Sequence, residues 1–550
     1  MKIQTKITKV FAAASAALIM TTTAFNLTAS AAQISTDGVG GVYCTASNSD
    51  IDLYDGYSII DGSFENDRNF KIDFKYSDSL FSTDPFVFDP HMATLSVAMA
   101  EASTTYKDEN DVTMVPDYTT IGGGIILNRG DNPYFHSAKR IASVLKQCKF
   151  QNIEVSESYT VKPTADSIAC AFGTREIQTE NGPRTVVSIT VRSASYDAEW
   201  ASNVTLGTEG EAKGFADSAN QVIAYLNDYM NAHPEIREAA DEGECYFWVQ
   251  GFSRGGAVAN LTAKRLIDGY QAIGDRVYAY TFEAPRGGVR SEMHSDRDYS
   301  CINNIIETND FVTYVAPEDM GFMRYGTNLC IYLNNTLADE VTKELKKMLG
   351  EENYKEYVPF ALDGNKTADC IKSVMKSVCG EVSRTDYVNK GIQSACRRLM
   401  NFIFTYGIDT DELMKTVDLA NLLNEASPAI EDIFANLDKK LMNKFVSWIL
   451  GPEYGKCIDP LYAAKESLLS SVKNALINDK GLDELFKEYE GGKKAMIDDV
   501  YLVLDKVLDA GIDNISDTVT LAKNFKNIYR NHSMMQTLAY MRLNDTWYNE

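Results

Sequence analysis

A strand pattern that runs through a glycine-rich turn straight into a helix pattern constrains the fold of this chain more than any other feature. Residues 245–250 (CYFWVQ) are the apolar and aromatic residues typical of a buried strand, and residues 255–266 repeat small and apolar residues at helical spacing. Residues 251–256 (GFSRGG) make the whole connection. Because so few residues connect the strand to the helix, the chain must turn sharply, and we expect a strained backbone at Ser253. The glycines on either side lack side chains that would collide with the neighbouring backbone.

Strand and helix patterns alternate on both sides of this unit, from about residue 45 to residue 334. The predicted strands are residues 167–175, 185–191, 245–250, 277–282 and 302–307, and the predicted helices are residues 137–148, 214–230 and 255–266. Alternation at this spacing is typical of β-α-β units. We therefore predict an α/β fold with a mainly parallel central sheet over residues 45–334.

The pattern changes between residues 335 and 525, where apolar residues recur at helical spacing and β-branched runs are few. The clearest helical segments are residues 394–404, 437–450, 462–477 and 494–508. This composition predicts a large all-helical insertion. Residues 526–550 are then expected to return to the α/β core.

The first residues are typical of a targeting segment. Lys2, Lys6 and Lys9 precede a short apolar run at residues 10–20, and small residues follow at 29–32. The run is too short to span a bilayer. We predict a signal peptide over residues 1–31, cleavage near Ala31, and a secreted mature chain without a transmembrane segment; an uncleaved anchor is the alternative.

The charge balance narrows the choice of partners. The 550 residues carry 53 Lys and Arg against 77 Asp and Glu, a net charge of −24, and loss of the three signal-peptide lysines with no acidic residue would take it to −27. Nucleic acid is an unexpected partner, because phosphate binding requires concentrated Lys and Arg. Tight docking on anionic lipid is disfavoured for the same reason, so any transient contact with a lipid interface should use apolar surface.

The cysteines do not indicate a metal site. Ten are scattered along the chain without a Cys-x-x-Cys pair, which favours neither a zinc site nor a dense disulfide scaffold. Their even number permits disulfides in an exported protein, but the sequence does not pair them. The chain is expected to need neither a metal nor an organic cofactor.

A serine at such a turn is a candidate nucleophile, although a plain strand-to-helix turn is the alternative. An activated serine needs a histidine base and an acid that orients it, and in α/β hydrolases they follow in the order Ser, acid, His. Only His294 and His532 follow Ser253 among the five histidines. Asp310 lies just beyond the strand at residues 302–307, and only His532 comes after it. His294, in a polar run, is the second choice.

Six segments of the chain resemble the class 3 lipases, the fungal-lipase-like branch of the α/β hydrolases. They are residues 191–194 (VRSA) with Trp200, 213–215 (KGF), 251–257 (GFSRGGA), 282–287 (FEAPRG), 309–312 (NDFV) with Pro317, and His532 with Tyr540. In order, these are similar to the family's Phe-Arg-Gly-Ser/Thr, Lys-Gly-Phe, Gly-His-Ser-Leu-Gly-Gly-Ala, Phe-Gly-Ala-Pro-Arg and Asp-x-Val-Pro segments and to its terminal histidine. The resemblance covers a little under half of the chain.

The resemblance implies an α/β-hydrolase fold with Ser253 as nucleophile, Asp310 as orienting acid and His532 as general base. It also implies an oxyanion hole formed by the backbone N–H groups of Arg254 and Ala194. These groups would hydrolyse carboxylic esters of lipids or other acyl compounds through an acyl-enzyme.

The chain departs from the family pattern in three places. Ser193 and Ala194 replace Gly-Ser/Thr, Phe252 and Arg254 replace His and Leu, and roughly 220 residues separate Asp310 from His532. Arg254 could therefore place a cation beside the acyl group.

An insertion between acid and base must begin and end near the sheet edge that carries the active site, so the helical region is expected to form a cap. Two apolar stripes on it could bind acyl chains or could only pack the cap's own helices. They are Leu399, Phe402, Ile403 and Phe404, and Phe445, Trp448, Ile449 and Leu450.

Within the enzyme class, a lipase, a short-chain esterase, a peptidase and a thioesterase all stay open. The alternative from another class is a catalytically silent binding protein whose helical region docks a surface partner.

Overall fold

The structure is a computed structural model. It describes residues 58–104 (except 67), 119–120, 136–159, 164–194 (except 181), 199–269, 274–290, 299–362, 366–405, 489–513 and 530–548, with isolated residues between 469 and 528. Contacts divide the chain into two compact units. The core unit holds the described residues up to 316, residues 321–368 and the described residues from 527 on. The helical unit holds residues 317–320 and the described residues of 369–526.

The core unit is built on an eight-stranded sheet. In the described part of the chain the strands are β1 (Ile60–Glu65), β2 (Lys71–Tyr76), β3 (Thr119–Thr120), β4 (Gln151–Val155), β5 (Cys170–Thr179), β6 (Gly182–Val191), β7 (Cys245–Phe252), β8 (Val277–Phe282), β9 (Gly288–Val289), β10 (Ile302–Glu307), β11 (Phe322–Met323) and β12 (Thr327–Ile331). The large sheet has the order β12-β10-β8-β7-β6-β5-β4-β3, and β1-β2 and β9-β11 form separate antiparallel pairs. β5 runs antiparallel to β4 and β6, and the other neighbours in the large sheet are parallel. The expected α/β fold with a mainly parallel sheet is therefore confirmed.

Helices lie on both faces of this sheet. They are α1 (Pro90–Ser103), α2 (His136–Gln147), α3 (Trp200–Asn203), α4 (Lys213–Ala232), α5 (Pro234–Asp241), α6 (Ser253–Gly269) and α7 (Asn335–Asn353), and α12 (Met534–Leu543) near the C-terminus. Trp248 of β7 belongs to a core cluster with apolar side chains of α1, α2, α7 and α12. Its neighbour Val249 is also buried but lies outside that cluster, as expected for alternate side chains of one strand. α4 and α6 pack on each other, and α6 packs on β7 and β8.

Two strands match their sequence prediction to the residue, β8 (Val277–Phe282) and β10 (Ile302–Glu307). Both are buried along their whole length, although β10 includes Asn303 and Asn304, and both lie between parallel neighbours. The predicted strand at residues 167–175 lies instead at Cys170–Thr179, as the antiparallel partner of β6. α1 was not predicted because all 14 of its residues are buried, which leaves no polar stripe to show a helical period.

The boundary of the helical insertion differs from the sequence prediction. Residues 335–368 were assigned to the insertion, but contacts place them in the core unit. The reason is that Val341, Leu345 and Leu349 of α7 are buried in the core cluster. The assignment of residues 1–31 as a signal peptide lies outside the described residues.

The helical unit is described in part. Its helices in the described ranges are α8 (Lys366–Glu381), α9 (Arg384–Asn389), α10 (Ile392–Thr405) and α11 (Gly492–Asp513). α10 packs on α11, where Arg398 donates two hydrogen bonds of 2.8 and 2.7 Å to the carboxylate of Asp499. The predicted segments 394–404 and 494–508 lie inside these two helices, whereas 437–450 and most of 462–477 lie outside the described residues.

Part of one apolar stripe packs inside this unit. Leu399 and Phe402 of α10 are buried, and the Phe402 ring meets the Tyr489 ring edge-on at 5.3 Å. The side chains of Ile403 and Phe404, and the whole second stripe, lie outside the described residues. That the helical region forms a cap stays a prediction.

Within the described ranges, none of the helices combines the length and the apolar character that spanning a bilayer requires.

Candidate active site

The predicted turn is present at the centre of the sheet. β7 ends at Phe252, α6 begins at Ser253, and no residue separates them. Ser253 has a φ of 54°, a left-handed conformation that is uncommon for residues other than glycine. Strain of this kind is retained only where the surrounding structure holds it, and it is frequent at functional sites. The serine side chain is almost fully buried, with 4% of the residue exposed.

Two glycines allow the turn to lie against its neighbours. A Cβ atom on Gly251 would lie 2.3 Å from the carbonyl oxygen of Gly255. One on Gly255 would lie 2.6 Å from the carbonyl oxygen of Val191 and 2.7 Å from that of Arg192. The start of α6 therefore lies directly against the end of β6, as the Gly-x-Ser-x-Gly spacing requires.

His532 contacts Ser253 although the two are 279 residues apart in sequence. It lies just before α12, and its Nε2 atom is 2.8 Å from Ser253 Oγ. Its Nδ1 atom is 2.6 Å from Asp310 Oδ2. Only 9% of the histidine side chain is exposed. These distances are normal hydrogen bonds, so the three side chains form one continuous chain of contacts.

Asp310 is held so that one oxygen faces the histidine. It caps the short 3-10 helix Phe311–Tyr314 that follows β10, and its Oδ1 accepts a 2.8 Å hydrogen bond from the backbone N–H of Val312. Its Oδ2 is left for His532, and the residue is fully buried. The carboxylate therefore has one fixed orientation, as an acid that selects a histidine tautomer requires.

The two N–H groups that the resemblance assigns to an oxyanion hole lie at the same edge of the sheet. Arg254 is in the first turn of α6, where backbone N–H groups have no acceptor within the helix. Ala194 follows β6 by three residues, and β6 pairs with β7 in the register Val191 to Gly251. Both segments therefore extend past the sheet beside Ser253.

The Arg254 side chain does not place its charge beside the acyl group, which corrects the expectation from sequence. Its Nε donates to Ser202 Oγ and its Nη2 to Ser218 Oγ, both at 3.0 Å. The side chain is fully buried among these helices, and burial lowers the pKa of the guanidinium. Its role is to link α6 to α3 and α4.

A buried ion pair supports the segment that carries Ala194. Arg192 donates a 2.7 Å hydrogen bond to Glu199, and the two side chains are 0% and 1% exposed. The Arg192 guanidinium also lies over the Tyr159 ring at 5.0 Å. Next to it, the Ser193 hydroxyl lies 3.0 Å from the Thr104 hydroxyl. Arg192 and Ser193 before Ala194, and Glu199 after it, are thus held by buried contacts.

Phe252 packs against the histidine of the site. Its ring centroid is 4.8 Å from that of His532, with the planes inclined by 38°. The sequence marked Phe252 only as a departure from the family pattern, and the contact explains its place. An apolar ring on this side limits the rotation of the imidazole and keeps water from it.

Two further acids that the sequence did not indicate as site residues lie close to Asp310. Glu283 follows β8 and Glu307 ends β10, and both are buried. Burial is the largest cause that raises the pKa of each carboxyl well above its usual value, and the charge of Asp310 adds to it. The one signal in the sequence was Glu283 itself, which stands where the resembled family segment has glycine.

The other histidines are elsewhere. The Nδ1 atom of His91 lies 2.5 Å from Asp545 Oδ1, and the His91 ring stacks on the Trp547 ring. The Nε2 atom of His233 lies 2.8 Å from Glu154 Oε1. His294, the second choice for the base, and the side chain of His136 lie outside the described residues. No group of three or more His, Cys, Asp or Glu side chains in the described part of the chain is arranged to hold a metal ion.

Comparison with known proteins points to one family. Residues 185–320 match the family model of class 3 lipases, a segment that includes Ser253 and Asp310. No curated protein sequence matches the chain.

Several solved lipase structures are similar to it over a third of its length. One is a triacylglycerol lipase described as having a serine-protease-type triad as its catalytic centre, with 19% identity, 34% of this chain and 71% of that chain covered, and a TM-score of 0.24. Another is the native Rhizomucor miehei lipase in complex with its propeptide, with 18% identity, 34% and 58% covered, and a TM-score of 0.24. A third is a fungal lipase in complex with an inhibitor, with 18% identity, 34% and 69% covered, and a TM-score of 0.24. The chain thus spans less than two thirds of the Rhizomucor structure.

Residues 185–320, which contain the turn at Ser253 and the buried Asp310, are therefore similar to the class 3 lipases, and this match supports a carboxylic ester hydrolase.

Proposed function

We propose that this protein is a secreted serine hydrolase that cleaves carboxylic esters with Ser253, His532 and Asp310 as its triad. One observation carries the proposal: His532 lies 2.8 Å from Ser253 Oγ with one ring nitrogen and 2.6 Å from Asp310 with the other. A serine hydroxyl is a weak nucleophile until a base within hydrogen-bond distance takes its proton, and the base needs a fixed tautomer.

The reaction follows from these contacts. As Ser253 Oγ attacks the ester carbonyl, its proton moves to His532 Nε2, and the carbonyl oxygen becomes negatively charged. Asp310 stays ionised, accepts the Nδ1–H hydrogen bond and stabilises the imidazolium. Collapse of the tetrahedral intermediate breaks the ester C–O bond, and the alcohol leaves with the proton from His532. Water then attacks the acyl-enzyme while His532 takes its proton. The second tetrahedral intermediate collapses to release the carboxylic acid, and the proton returns from His532 to Ser253 Oγ.

The negative oxygen needs donors that are already in place. The backbone N–H groups of Arg254 and Ala194 are our candidates, because both segments extend beyond the sheet next to Ser253. Loss of one such donor typically raises the barrier by about 2.7–4 kcal/mol. Buried supports at Arg192 and Arg254 would keep these two segments fixed without movement during the reaction.

For the substrate, we propose lipid or other acyl esters. The match of residues 185–320 to the class 3 lipase family model favours esters over amides. Secretion is proposed from residues 1–31 alone.

Active-site labelling tests the chemistry. Purified protein is treated with a fluorophosphonate probe, which reacts with an activated serine, alongside Ser253→Ala, His532→Ala and the control Ser470→Ala in the helical unit. We expect labelling of the wild type and of the control and none of the other two variants. Absence of wild-type labelling would favour the catalytically silent binding protein, and labelling that survives His532→Ala would move the base to His294.

A series of nitrophenyl esters of increasing chain length then separates a lipase from a short-chain esterase. A rate that rises with chain length and with an added lipid interface supports the lipase. A rate that falls beyond short chains supports the esterase.

A further inference from the structure

Glu283 occupies a backbone position that glycine would fill more easily. Its φ is 46°, and a non-glycine residue in this region stores strain. The residue is 1% exposed, and its backbone N–H donates to the carbonyl oxygen of Ile305 at 2.9 Å. Glycine also stands here in the family segment that residues 282–287 resemble. A buried, strained carboxyl in place of glycine calls for a compensating role.

The side chain of Glu283 joins the two parts of the chain that carry Asp310 and His532. Its Oε2 accepts a 2.7 Å hydrogen bond from the backbone N–H of Glu307, the last residue of β10, three residues before Asp310. Its Oε1 lies 3.3 Å from the hydroxyl of Thr537 on α12, the helix that starts just after His532. The Glu283 carboxyl group therefore connects the end of β10 to α12, and Thr537 lies 254 residues after Glu283 in the sequence.

The Thr537 hydroxyl indicates which atom carries the hydrogen in that contact. It lies 3.1 Å from the carbonyl oxygen of Ser533, which can only accept. A hydroxyl has one hydrogen, so if it is donated to Ser533, the contact with Glu283 needs a hydrogen on the carboxyl. A protonated Glu283 satisfies both contacts and completes the chain Glu307 N–H to Glu283, Glu283 O–H to Thr537, and Thr537 O–H to Ser533.

The surrounding charges agree with a neutral Glu283. Glu307 and Asp310 are buried acids on the β10 side, whereas the hydrogen bond from the Glu307 N–H, the contact with Thr537 and the charge of Arg324 lower the pKa of Glu283. Burial and the charge of Asp310 raise that pKa and are the two largest effects. His532 faces Asp310 and shares its hydrogen bond. Loss of the proton from Glu283 would put a second negative charge beside Asp310.

We propose that Glu283 is a positioning residue, held as a neutral carboxylic acid, that fixes His532 against Asp310 by connecting the end of β10 to Thr537 on α12. The proposal rests on the proposed function, since it concerns the geometry of that triad. Loss of the Glu283 proton as pH rises weakens the link to Thr537, so the fall of activity on the high-pH side of the profile is set in part by this group.

The test measures the rate of fluorophosphonate labelling against pH in four variants. Glu283→Gln keeps a donor and an acceptor but cannot ionise. We expect it to retain most of the neutral-pH rate and to keep that rate further into alkaline pH than the wild type. Glu283→Gly removes the link and suits the backbone, so it should fold, and Thr537→Val breaks the link at its other end. Both should label on the order of 10²-fold more slowly, because small displacements of a catalytic group cost about that much. Glu238→Gln, an exposed acid on α5, is the control.

Two readouts do not depend on activity. Infrared spectroscopy at neutral pH should show a protonated carboxyl band that Glu283→Gln loses. Proton NMR should show a low-field His532 Nδ1–H resonance that shifts or broadens in Glu283→Gly and Thr537→Val but not in Glu238→Gln.

The outcomes are separable. An unlabelled wild type contradicts the proposed function, and the two spectroscopic readouts then still decide on Glu283. A labelled wild type with Glu283→Gly at the same rate and pH profile overturns the positioning role, as does a protonated carboxyl band whose intensity is unchanged in Glu283→Gln.

Discussion

Asp310 Oδ2 and His532 Nδ1 lie 2.6 Å apart although 222 residues separate them in sequence. Asp310 is fully buried, and its Oδ1 accepts a hydrogen bond from the N–H of Val312. The carboxylate therefore faces the imidazole ring with Oδ2 in a fixed orientation. The contact holds the imidazole with Nε2 towards Ser253.

Replacing Asp310 by Asn should reduce kcat by roughly 10⁴-fold with a much smaller change in KM. The Asn side chain can donate a hydrogen bond from its NH2 group to His532 Nδ1, which favours the histidine tautomer with the proton on Nε2. The neutral amide also cannot stabilise the imidazolium charge. Steady-state kinetics on a nitrophenyl ester measure the effect, with Asp217→Asn on the exposed side of α4 as the matched control. A loss of less than tenfold would show that another acid orients the base.

Replacing Gly255 by Ala should damage both stability and activity. The added methyl group would lie 2.6 and 2.7 Å from two carbonyl oxygens at the end of β6, so the turn or the segment leading to Ala194 must move. Overpacking of this kind costs about 1–3 kcal/mol. Chemical denaturation and labelling rate measure the two losses.

Gly269→Ala is the control for that change, since nothing lies within 4 Å of the added group at the other end of the same helix. Alanine there should be neutral or stabilising by up to about 1 kcal/mol. Equal losses in the two variants would mean that close packing at Gly255 is not the cause.

Removing the charge of Arg192 should be strongly destabilising. Arg192→Met leaves Glu199 buried without its partner, and breaking a buried ion pair typically costs about 3–5 kcal/mol. Lys213→Met breaks an exposed pair with Asp217, whose side chains are 60% and 51% exposed, and should cost below about 1 kcal/mol. Urea denaturation compares them, and similar values would argue against a structural role for the buried pair.

The stability of the protein should depend on Glu283 and pH with a defined sign. Because the pKa of Glu283 is raised in the folded protein, the folded state keeps a proton that the unfolded chain releases above a pH of about 4.3. Stability therefore falls as pH rises between the two pKa values, by at most about 1.4 kcal/mol per pH unit for this group.

Glu283→Gln removes that dependence. The difference in the free energy of unfolding between this variant and the wild type should grow in favour of the variant from mildly acid to neutral pH. Denaturation at several pH values measures it. A difference that stays constant with pH would show that Glu283 is ionised in the folded protein.

Local pattern determined much of the core. β8 and β10 were assigned to the residue because each is a short run with several β-branched or aromatic residues. The turn at Ser253 was identified from the glycine spacing together with the strand and helix patterns on either side, and that spacing allows the helix to start against β6. Chain order then made Asp310 and His532 the first choice of acid and base, with His294 as the second choice of base.

Other parts of the molecule had no local signal. α1 is buried on all sides and so shows no amphipathic period, and α7 joins the core unit because of contacts that its helical pattern does not contain. Arg254 was expected near the acyl group, but the serines of two other helices take its guanidinium.

The sequence by itself determined the α/β pattern and the strained serine turn, because each depends on residues close together in the chain, and the order of residues along the chain indicated the candidate acid and base. Only the tertiary structure decided that Phe252 packs on the His532 ring and that Glu283 lies between Glu307 and Thr537. Such contacts join segments up to 280 residues apart (Phe252 to His532) and are set by how strands and helices pack, which no spacing within one segment encodes.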